Sequence, residues 1–579
     1  MRTEYCGNLN ISHINKNVTL CGWVNKIRNF GNLIFIDIRD CKGIVQIVFN
    51  SINKTIFNKA LKLRNEFCIQ INGIVCKRPF KQINKIIKTG KIEIFCNFLN
   101  IINTSKKIPL NFNKKNLEEI NLKYRYLELR KPEMIKRFKI RSKICNYIRN
   151  YLNKNNFIEI ETPILTKSTP EGARDFLVPS RINKGKFYAL PQSPQIFKQL
   201  LMISGFDRYY QIIKCFRDED LRSDRQPEFT QIDIETSFLN SKKLIKLMEK
   251  MICNLFLKIN KINISKFKII TFSEALRRYG SDKPDLRNPI ELIDLKDIFI
   301  KTNLLKYLPK KFYNNNNSII GLKIPNIKNK NVIKILNYNK IINNNNLLWF
   351  KIYNISKNLN GIKGNALKFL NKKILELIFK RTKSKNGDII IIGSNNNKNI
   401  YNIMGNLRKK IGNILNLINL NDWSTLWVIN FPLFKKDKNN KINSKHNPFS
   451  NPYINNIDNL INNPISFYSN SYDMIINGHE IGGGSVRINN RKIQKKIFDI
   501  LNIKKYNIKN LNFLLDAFKY GVPYHAGIAF GLDRLVMLLT NTKNIRDVIA
   551  FPKTTSAKCL MTNAPSKIEL NILKELFNK

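Results

Sequence analysis

Short runs in which apolar and polar residues alternate crowd the first hundred positions. Val18–Val24 is one, Asn32–Arg39 a second and Gly43–Phe49 a third. A helical pattern follows near 52–65, and two further strands are expected at Phe67–Cys76 and Lys91–Ile102. Five closely spaced strands, with a helix between the third and the fourth, suit a small closed barrel of the OB type. Period-two alternation puts Ile34, Ile36 and Ile38 on one face of the second strand, and Phe35, Asp37 and Arg39 on the other. In the third strand Val45, Ile47 and Phe49 turn inward, which leaves Gln46 outside near Phe35. An outward aromatic on such a sheet is either a platform for stacking a base or a side chain covered by another domain. Arg28, Arg78 and Glu93 add polar groups around it.

Beyond the barrel the pattern changes three times. Residues 105–130 form a polar, basic connector, and 131–285 carry dense motifs. Asparagine tracts at 314–317, 343–346 and 395–397 mark a region from 286 to 420 whose hydrophobic pattern is weak. It reads as an inserted domain rich in loops, with no chemistry of its own. Motif density returns from about 423 to 564. The expected domains are therefore 1–104, a hinge at 105–130, a core split into 131–285 and 421–579, and the insertion at 286–420.

Four stretches carry chemistry. Tyr209–Asp220 and Gln226–Thr236 both alternate and are joined by a charged loop, which reads as an antiparallel strand, loop and strand. On the second arm Gln231, Asp233 and Glu235 share a face that is either solvent-exposed or the floor of a polar site. Leu190–Met202 reads as a helix start, with Ser193 as cap and Pro194 as first helical residue. Gln195 and Lys198 then lie on one face, and an ordinary amphipathic helix with a solvated lysine is the alternative. In Ser471–Arg487, Asp473 and Glu480 are hard oxygen ligands suited to magnesium. Gly482, Gly483 and Gly484 allow close backbone approach, and Arg487 follows as a bidentate partner for a carboxylate. Tyr524–Leu539 reads as a strand, a break at Gly531, then a helix with Arg534 near its N-terminus, a natural place for polyphosphate.

Composition narrows the classes. With 579 residues, 43% hydrophobic and 10% aromatic, the chain is too large for a lone recognition module and too apolar for a disordered basic tail. No apolar run approaches the ~18 residues of a membrane span. Lys and Arg total 100 against 41 Asp and Glu, a net charge of +59. The same excess would arise from a polyanionic partner or from drift toward the AT-rich codons of Lys, Asn and Ile, and most of it is assigned to drift. None of the ten cysteines forms a C-x-x-C pair, so a clustered zinc site is not expected. The N-terminus runs directly into folded-looking sequence, so a cytoplasmic protein with reduced thiols is expected. A G-x-x-x-x-G-K-[ST] loop is missing. The four histidines, His13, His446, His479 and His525, build no H-x-G-H motif.

These strings resemble the bacterial-type aspartyl-tRNA synthetases, a family of class II aminoacyl-tRNA synthetases. The likeness begins at Met1-Arg-Thr-Glu-Tyr-Cys-Gly7 and Leu20-Cys-Gly-Trp-Val24. Glu161-Thr-Pro-Ile-Leu165 with Thr169-Pro-Glu-Gly-Ala173 resembles class II motif 1 and its following loop. Phe216-Arg-Asp-Glu-Asp220 resembles motif 2, and Gly531-Leu-Asp-Arg534 resembles motif 3. The resemblance implies a multidomain α+β protein, with an N-terminal OB-fold anticodon barrel and a class II antiparallel sheet flanked by helices. It also implies an inserted α/β domain and a homodimer with Pro163 near its interface. It assigns Glu171, Gln195, Ile196, Phe197, Lys198, Arg217, Asp233, His446 and Arg487 to L-aspartate. Arg217, Asp218, Glu219, Gln226, Glu480, Gly531, Leu532, Asp533 and Arg534 go to ATP, with Arg217, Glu480 and Arg534 catalytic. Asp473 and Glu480 would hold Mg2+, and Arg28, Phe35, Gln46, Arg78 and Glu93 would read the anticodon of tRNA-Asp. The chain departs from the family at Asn447, in place of the second histidine of His-His-Pro-Phe, and at Val48 and Cys76.

The implied activity is ATP-dependent attachment of aspartate to tRNA-Asp through aspartyl-adenylate. Lys198 and Arg487, converging on one carboxylate, would favour aspartate over asparagine or lysine. Two alternatives stay open at this stage: an enzyme that also charges tRNA-Asn, and an inactive RNA-binding paralogue.

Overall fold

The computed structural model describes residues 1–112, 116–169, 172–264, 267–301, 317–325, 347–437, 439–454, 456, 458–501 and 505–571. They fall into two compact units, Met1–Lys136 with Cys559–Ala564, and the remainder.

The first unit is a closed five-stranded barrel. Its strands are β1 (Asn17–Asn29), β2 (Leu33–Arg39), β3 (Ile44–Asn50), β4 (Cys68–Lys77) and β5 (Ile92–Asn103), in the order β1-β2-β3-β5-β4. Helix α1 (Lys54–Leu61) sits between β3 and β4 in the chain, where the Asn53 side chain caps it by accepting from the Ile56 amide. Ile34, Ile36, Ile38, Val45, Ile47 and Phe49 all fill the barrel, as alternation requires.

The second unit is built on an eight-stranded sheet. In chain order come α2 (Pro132–Lys154), β6 (Ile158–Glu159), α3 (Gln195–Ile203), β7 (Arg208–Phe216), β8 (Glu228–Ser237), α4 (Ser241–Asn260), β9 (Lys268–Thr271) and α5 (Phe272–Tyr279). A five-stranded sheet of β10 (Leu292–Asp294), β11 (Asn317–Ile324), β12 (Leu348–Ile352), β13 (Ile362–Lys363) and β14 (Ile389–Asn396) follows, in the order β10-β11-β14-β12-β13. Helix α6 (Lys372–Thr382) precedes β14, and α7 (Asn397–Ile414) follows it. The large sheet then resumes with β15 (Thr425–Pro432), β16 (Tyr468–Ile476), β17 (His479–Val486), β18 (His525–Gly531) and helix α8 (Leu532–Leu539). Its order is β9-β15-β16-β17-β18-β8-β7-β6. Only its two edge pairs, β9 with β15 and β6 with β7, are parallel, so the sheet is mixed rather than wholly antiparallel.

One face of the large sheet is apolar. Ile232, Ile234, Ile528 and Phe530 meet Ile144 and Ile148 of α2, Met248 and Leu255 of α4, and Leu535 and Val536 of α8 in a single buried cluster. Period-two geometry then sends Asp233 and Glu235 to the opposite face.

The described residues between 286 and 420 form more regular structure than their sequence pattern suggests. Ile390 and Ile392 enter one apolar cluster, Ile389 and Ile391 another. A strand covered on both faces carries no polar alternation, which is why the pattern reads as weak.

Candidate active site

The polar face of β8 is a floor and not a solvent surface. Asp233 and Glu235 are fully buried, and Gln231 is nearly so. Helix α3 lies over them. It begins at Gln195, one residue later than expected, with Pro194 as its cap. This places Gln195 and Lys198 deep in the interior.

Four charged side chains meet there. Lys198 Nζ lies 2.5 Å from Asp233 Oδ1 and 3.3 Å from Glu235 Oε2. Arg487 donates to both Glu235 oxygens, Nε to Oε1 at 2.8 Å and Nη2 to Oε2 at 3.1 Å. Its Nη1 donates to Ser485 Oγ at 2.8 Å. The sequence reads Lys198 and Arg487 as cations converging on a substrate carboxylate. In the structure each already has a carboxylate partner, because an unpaired buried charge would cost several kcal/mol. Burial pulls on the Glu235 carboxyl upward, but Arg487 and Lys198 outweigh it and hold it below its ordinary value. Burial wins at Asp233, which is raised despite Lys198. Asp233 Oδ2 and Gln195 Nε2 are buried with no hydrogen-bond partner. A free acceptor and a free donor beside a balanced charge cluster suit the ammonium and carboxylate of a small zwitterion.

Close backbone approach makes room for this cluster. A Cβ on Gly527 would fall 1.8 Å from Glu235 Oε2, so only glycine fits opposite Glu235 in the β8–β18 pairing.

The second half of the site lies on β16 and β17. Asp473 pairs with Gly483, but the register slips between Met474 and Ile475, so Ile475 faces Glu480. That bulge turns Glu480 to the Asp473 side of the sheet. A Cβ on Gly483 would sit 2.6 Å from Asp473 Oδ1 and 3.4 Å from His446 Nε2. His446 Nε2 lies 3.0 Å from Asp473 Oδ1, and its ring packs against Phe431. Burial raises the Asp473 carboxyl, and the neighbouring Glu480 charge adds to it. Glu480 is held down at about 2: burial acts to raise it, but Lys283 and Arg534 prevail. Lys283 forms an ion pair with the Glu480 carboxylate, and Arg534 Nη1 donates to the Glu480 carbonyl at 2.9 Å.

Magnesium has no dedicated cage. Among the described residues no group of three or more His, Cys, Asp or Glu is placed to hold a metal. Two carboxylates on one face, Asp473 and Glu480, nevertheless fit an ion that is commonly held by one or two carboxylates, water and substrate phosphates.

The remaining expected residues divide by position. Arg217 lies with its guanidinium 5.0 Å from the Phe229 ring. Glu219 pairs with Arg225 at 3.0 Å, and the Asp218 amide donates to the Arg174 carbonyl. Gln226 exchanges two hydrogen bonds with the Lys553 backbone, at 3.0 and 2.8 Å. Gly531 ends β18 and caps α8, but Leu532 is buried in the apolar cluster. Asp533 accepts from Arg141 at 2.5 Å and from the Thr230 amide at 2.8 Å. The side chains of Leu532 and Asp533 thus hold the fold, whereas Arg534 reaches the site. Ile196 and Phe197 line an apolar cavity with Pro191 and Phe513, away from the charged cluster's chemistry. Glu171 lies outside the described residues. Pro163 is exposed beside Ile164 and Leu165, which are 43% and 53% exposed.

Sequence reasoning gave no role to four residues. Glu235 was visible on the polar face but had no assigned partner. Gln199 and His525 sit behind it, Gln199 Nε2 lying 3.2 Å from His525 Nε2. Lys283 lies 197 residues from Glu480 and carries no motif.

On the barrel, the expected reading residues form one chain of contacts. Arg28 donates to Asp37 at 2.7 Å and to Gln46 at 3.0 Å, and Gln46 Nε2 donates to Glu93 at 2.8 Å. Arg78 is buried, donates through Nε to the Ile92 carbonyl, and leaves Nη2 unpartnered. Burial raises the Glu93 carboxyl, against Gln46 and Arg78. Phe35 is half-buried and meets the exposed Phe30 edge to face, with centroids 5.8 Å apart. Arg39 lies on the outer face as expected but is covered there, paired with Glu66 at 2.8 and 2.9 Å.

Among the described residues no helix is long and apolar enough to cross a membrane. Comparison with known proteins agrees with this anatomy. Residues 18–102 match the OB-fold nucleic acid binding domain. Two proteins from Buchnera aphidicola subsp. Acyrthosiphon pisum, strains Tuc7 and APS, are each called aspartate–tRNA ligase. Each is 54% identical over 583 residues, covering 100% of this chain and 99% of its own length. Two solved structures share the fold. Asparaginyl-tRNA synthetase from Pyrococcus horikoshii, complexed with asparaginyl-adenylate, has a TM-score of 0.58 at 19% identity, covering 95% of this chain and 98% of that one. Aspartyl tRNA synthetase from Entamoeba histolytica has a TM-score of 0.57 at 18% identity, covering 95% and 91%. With the model of the class II tRNA synthetases (D, K and N) matching residues 117–555, the chain belongs to that family.

Proposed function

We propose that the chain joins L-aspartate to tRNA-Asp in two steps, at the expense of ATP. The observation that carries this reading is the buried Lys198–Asp233–Glu235–Arg487 cluster with its unpartnered Asp233 Oδ2 and Gln195 Nε2. The shared length and identity with the two Buchnera ligases support it. They favour neither an inactive RNA-binding protein nor an enzyme that also charges tRNA-Asn.

In the first step an oxygen of the aspartate α-carboxylate attacks the α-phosphorus of ATP. The bond to the β-phosphate breaks, and pyrophosphate leaves with its electron pair. Two anions must approach each other, so the site needs cations and positioning more than a nucleophile of its own. Arg217 and Arg534 supply positive charge, and Glu171 and Asp233 orient the ammonium. Lys198 and Arg487 hold the side-chain carboxylate, their geometry fixed in advance by Asp233 and Glu235. Asp473 and Glu480 are the residues that would hold Mg2+, which when bound neutralises phosphate charge. In the second step the 3′-hydroxyl of the terminal adenosine attacks the acyl carbon, and AMP leaves.

The barrel contacts from Arg28 to Glu93, with Phe35 and Phe30 beside them, would read the anticodon. The five-stranded module at 286–420 is an insertion, and 105–130 the hinge. Pro163 with its exposed apolar neighbours would lie at the interface of a cytoplasmic homodimer. Aminoacylation of purified tRNA-Asp and tRNA-Asn, side by side, tests the reading. Charging of tRNA-Asp with aspartate is expected. Absence of aspartate-dependent pyrophosphate exchange would overturn the reading, and equal charging of both tRNAs would overturn its specificity.

A further inference from the structure

The segment from Ser281 to Asn288 lies outside all three motifs, yet it is tied to the site at several points. Asp282 accepts from Lys445 Nζ at 3.2 Å, next to His446. Arg408 of α7 donates to the carbonyls of Asp285 at 3.0 Å and Asn288 at 2.7 Å, and Asn288 donates back to the Arg408 carbonyl. Gly478, in the turn between β16 and β17, has no room for a side chain larger than hydrogen without pressing on Asp285, whose Cβ lies 3.0 Å from a Cβ built there. The backbone is thus held on both sides of Lys283, and the ammonium is presented to Glu480.

A partly exposed ion pair contributes little to stability. Lys283 and Glu480 retain 35% and 28% side-chain exposure, so the pair is open to solvent and to a ligand. What the pair fixes is the position of a positive charge. Two cations converge on one residue here, Lys283 on the Glu480 carboxylate and Arg534 on its carbonyl. Glu480 also shares its face with Asp473. A carboxylate that takes a divalent cation no longer needs an ammonium, and the two cations would repel each other there. The nearest use for a released ammonium beside Arg534 is a phosphate oxygen.

We propose that Lys283 is a further ATP-binding residue, whose ammonium neutralises Glu480 in the free protein and passes to the polyphosphate when ATP arrives. This rests on the synthetase reading above. It brings a fourth element into the site, a segment anchored by Lys445, by the β16–β17 turn and by Arg408 of the inserted module, and not by any of the class II motifs.

The test measures ATP binding to the full-length chain by calorimetry in EDTA, so that no divalent ion takes part. Lys283→Gln and Lys283→Arg are each made alone and in a Glu480→Gln background. That background removes the alternative that the lysine acts only by cancelling the Glu480 charge. Lys283→Gln is expected to weaken metal-free ATP binding about five-fold or more in both backgrounds, and Lys283→Arg to recover most of it. Unchanged ATP affinity on Lys283→Gln in the Glu480→Gln background would overturn the proposal, leaving a structural ion pair. Thermal melts of each variant identify any loss that is merely unfolding, in which case the Arg variant decides: weakened binding in a folded Arg variant equal to that of Gln also overturns it. A wild-type chain that binds no ATP with or without magnesium would sink the synthetase reading itself. A wild type that binds ATP beside an unaffected Gln variant sinks only this inference.

Discussion

Arg487 and Glu235 form a two-point ion pair at 2.8 and 3.1 Å, both fully buried, across the β17–β18–β8 part of the sheet. The arginine that is placed to hold a substrate carboxylate is therefore already aimed by a fixed protein carboxylate. With Lys198 on Asp233, the cluster balances two positive against two negative charges before any ligand binds. Such a site is rigid in advance, which limits the ordering that binding must impose.

Arg487→Leu should abolish aspartate activation, and it should also destabilise the fold. Glu235 would keep only Lys198 as a cationic neighbour, and breaking a buried pair costs about 3–5 kcal/mol. Replacing Glu235 with Leu as well should restore much of the stability without restoring activity. Chemical denaturation and aspartate-dependent pyrophosphate exchange, measured on both variants, separate the two effects. A single variant as stable as wild type would show that the pair is not the constraint described.

His525 gives the site a pH dependence of stability. The Gln199 amide donates to His525 Nε2, so the ring donates from Nδ1 to the Pro523 carbonyl, at 2.8 Å, and is neutral. Burial lowers its affinity for a proton, Arg487 and Lys198 reinforce this, and Glu235 opposes it. The unfolded chain binds a proton near pH 6.5 that the folded chain refuses, so stability falls as pH drops below that value. His479, lowered by burial and by Arg534, acts in the same direction. Removing His525 as His525→Gln should therefore weaken the loss of unfolding free energy as pH drops below about 6.5. An unaltered slope would mean that the ring is protonated in the folded state.

The barrel was legible because its second strand alternates, so Ile34, Ile36 and Ile38 declared their face without any tertiary knowledge. The charged cluster was half legible. Residue types and spacing picked out Lys198, Asp233 and Arg487, but Glu235 belongs to Arg487 only through the β8–β18–β17 register, 252 residues away in sequence. Lys283 could not be seen at all, since no local pattern links it to Glu480. The β17 bulge that re-aims Glu480 was equally hidden, because simple alternation would have sent that carboxylate to the apolar face. The module at 286–420 misled for a different reason. Its strands lie between two apolar layers, and runs such as Ile389–Ile392 look the same as compositional bias toward isoleucine.

On the barrel, Phe35→Ala should weaken tRNA charging and leave adenylate formation intact. Phe35 meets the 69%-exposed Phe30 edge to face, so one side of the ring pair is available to a base. A stacked base is worth roughly 1–3 kcal/mol, or about 5- to 150-fold in the charging efficiency. Phe30→Ala should produce a loss in the same half-reaction. If both half-reactions fell together, the aromatic pair would be serving the barrel's fold.

The excess of positive charge can be tested separately from the site. If most of the +59 reflects drift, many lysines of the inserted module make no contact with RNA. Lys328, Lys330 and Lys334 lie outside the described residues, but Lys372, Lys373 and Lys380 are exposed on α6. Binding of tRNA-Asp will depend on salt in any case, because phosphates are neutralised wherever the RNA docks. Each lysine that neutralises a phosphate contributes roughly 0.7–0.9 to the slope of log affinity against log salt. Converting all three to Gln should therefore leave the slope nearly unchanged if α6 is merely solvated, and should lower its magnitude by about two if α6 grips the RNA. A salt series on the wild type and the triple variant distinguishes these outcomes. Because the substituted side chains are exposed, the fold should be unaffected, and a drop near two units would assign the charge of this helix to tRNA binding.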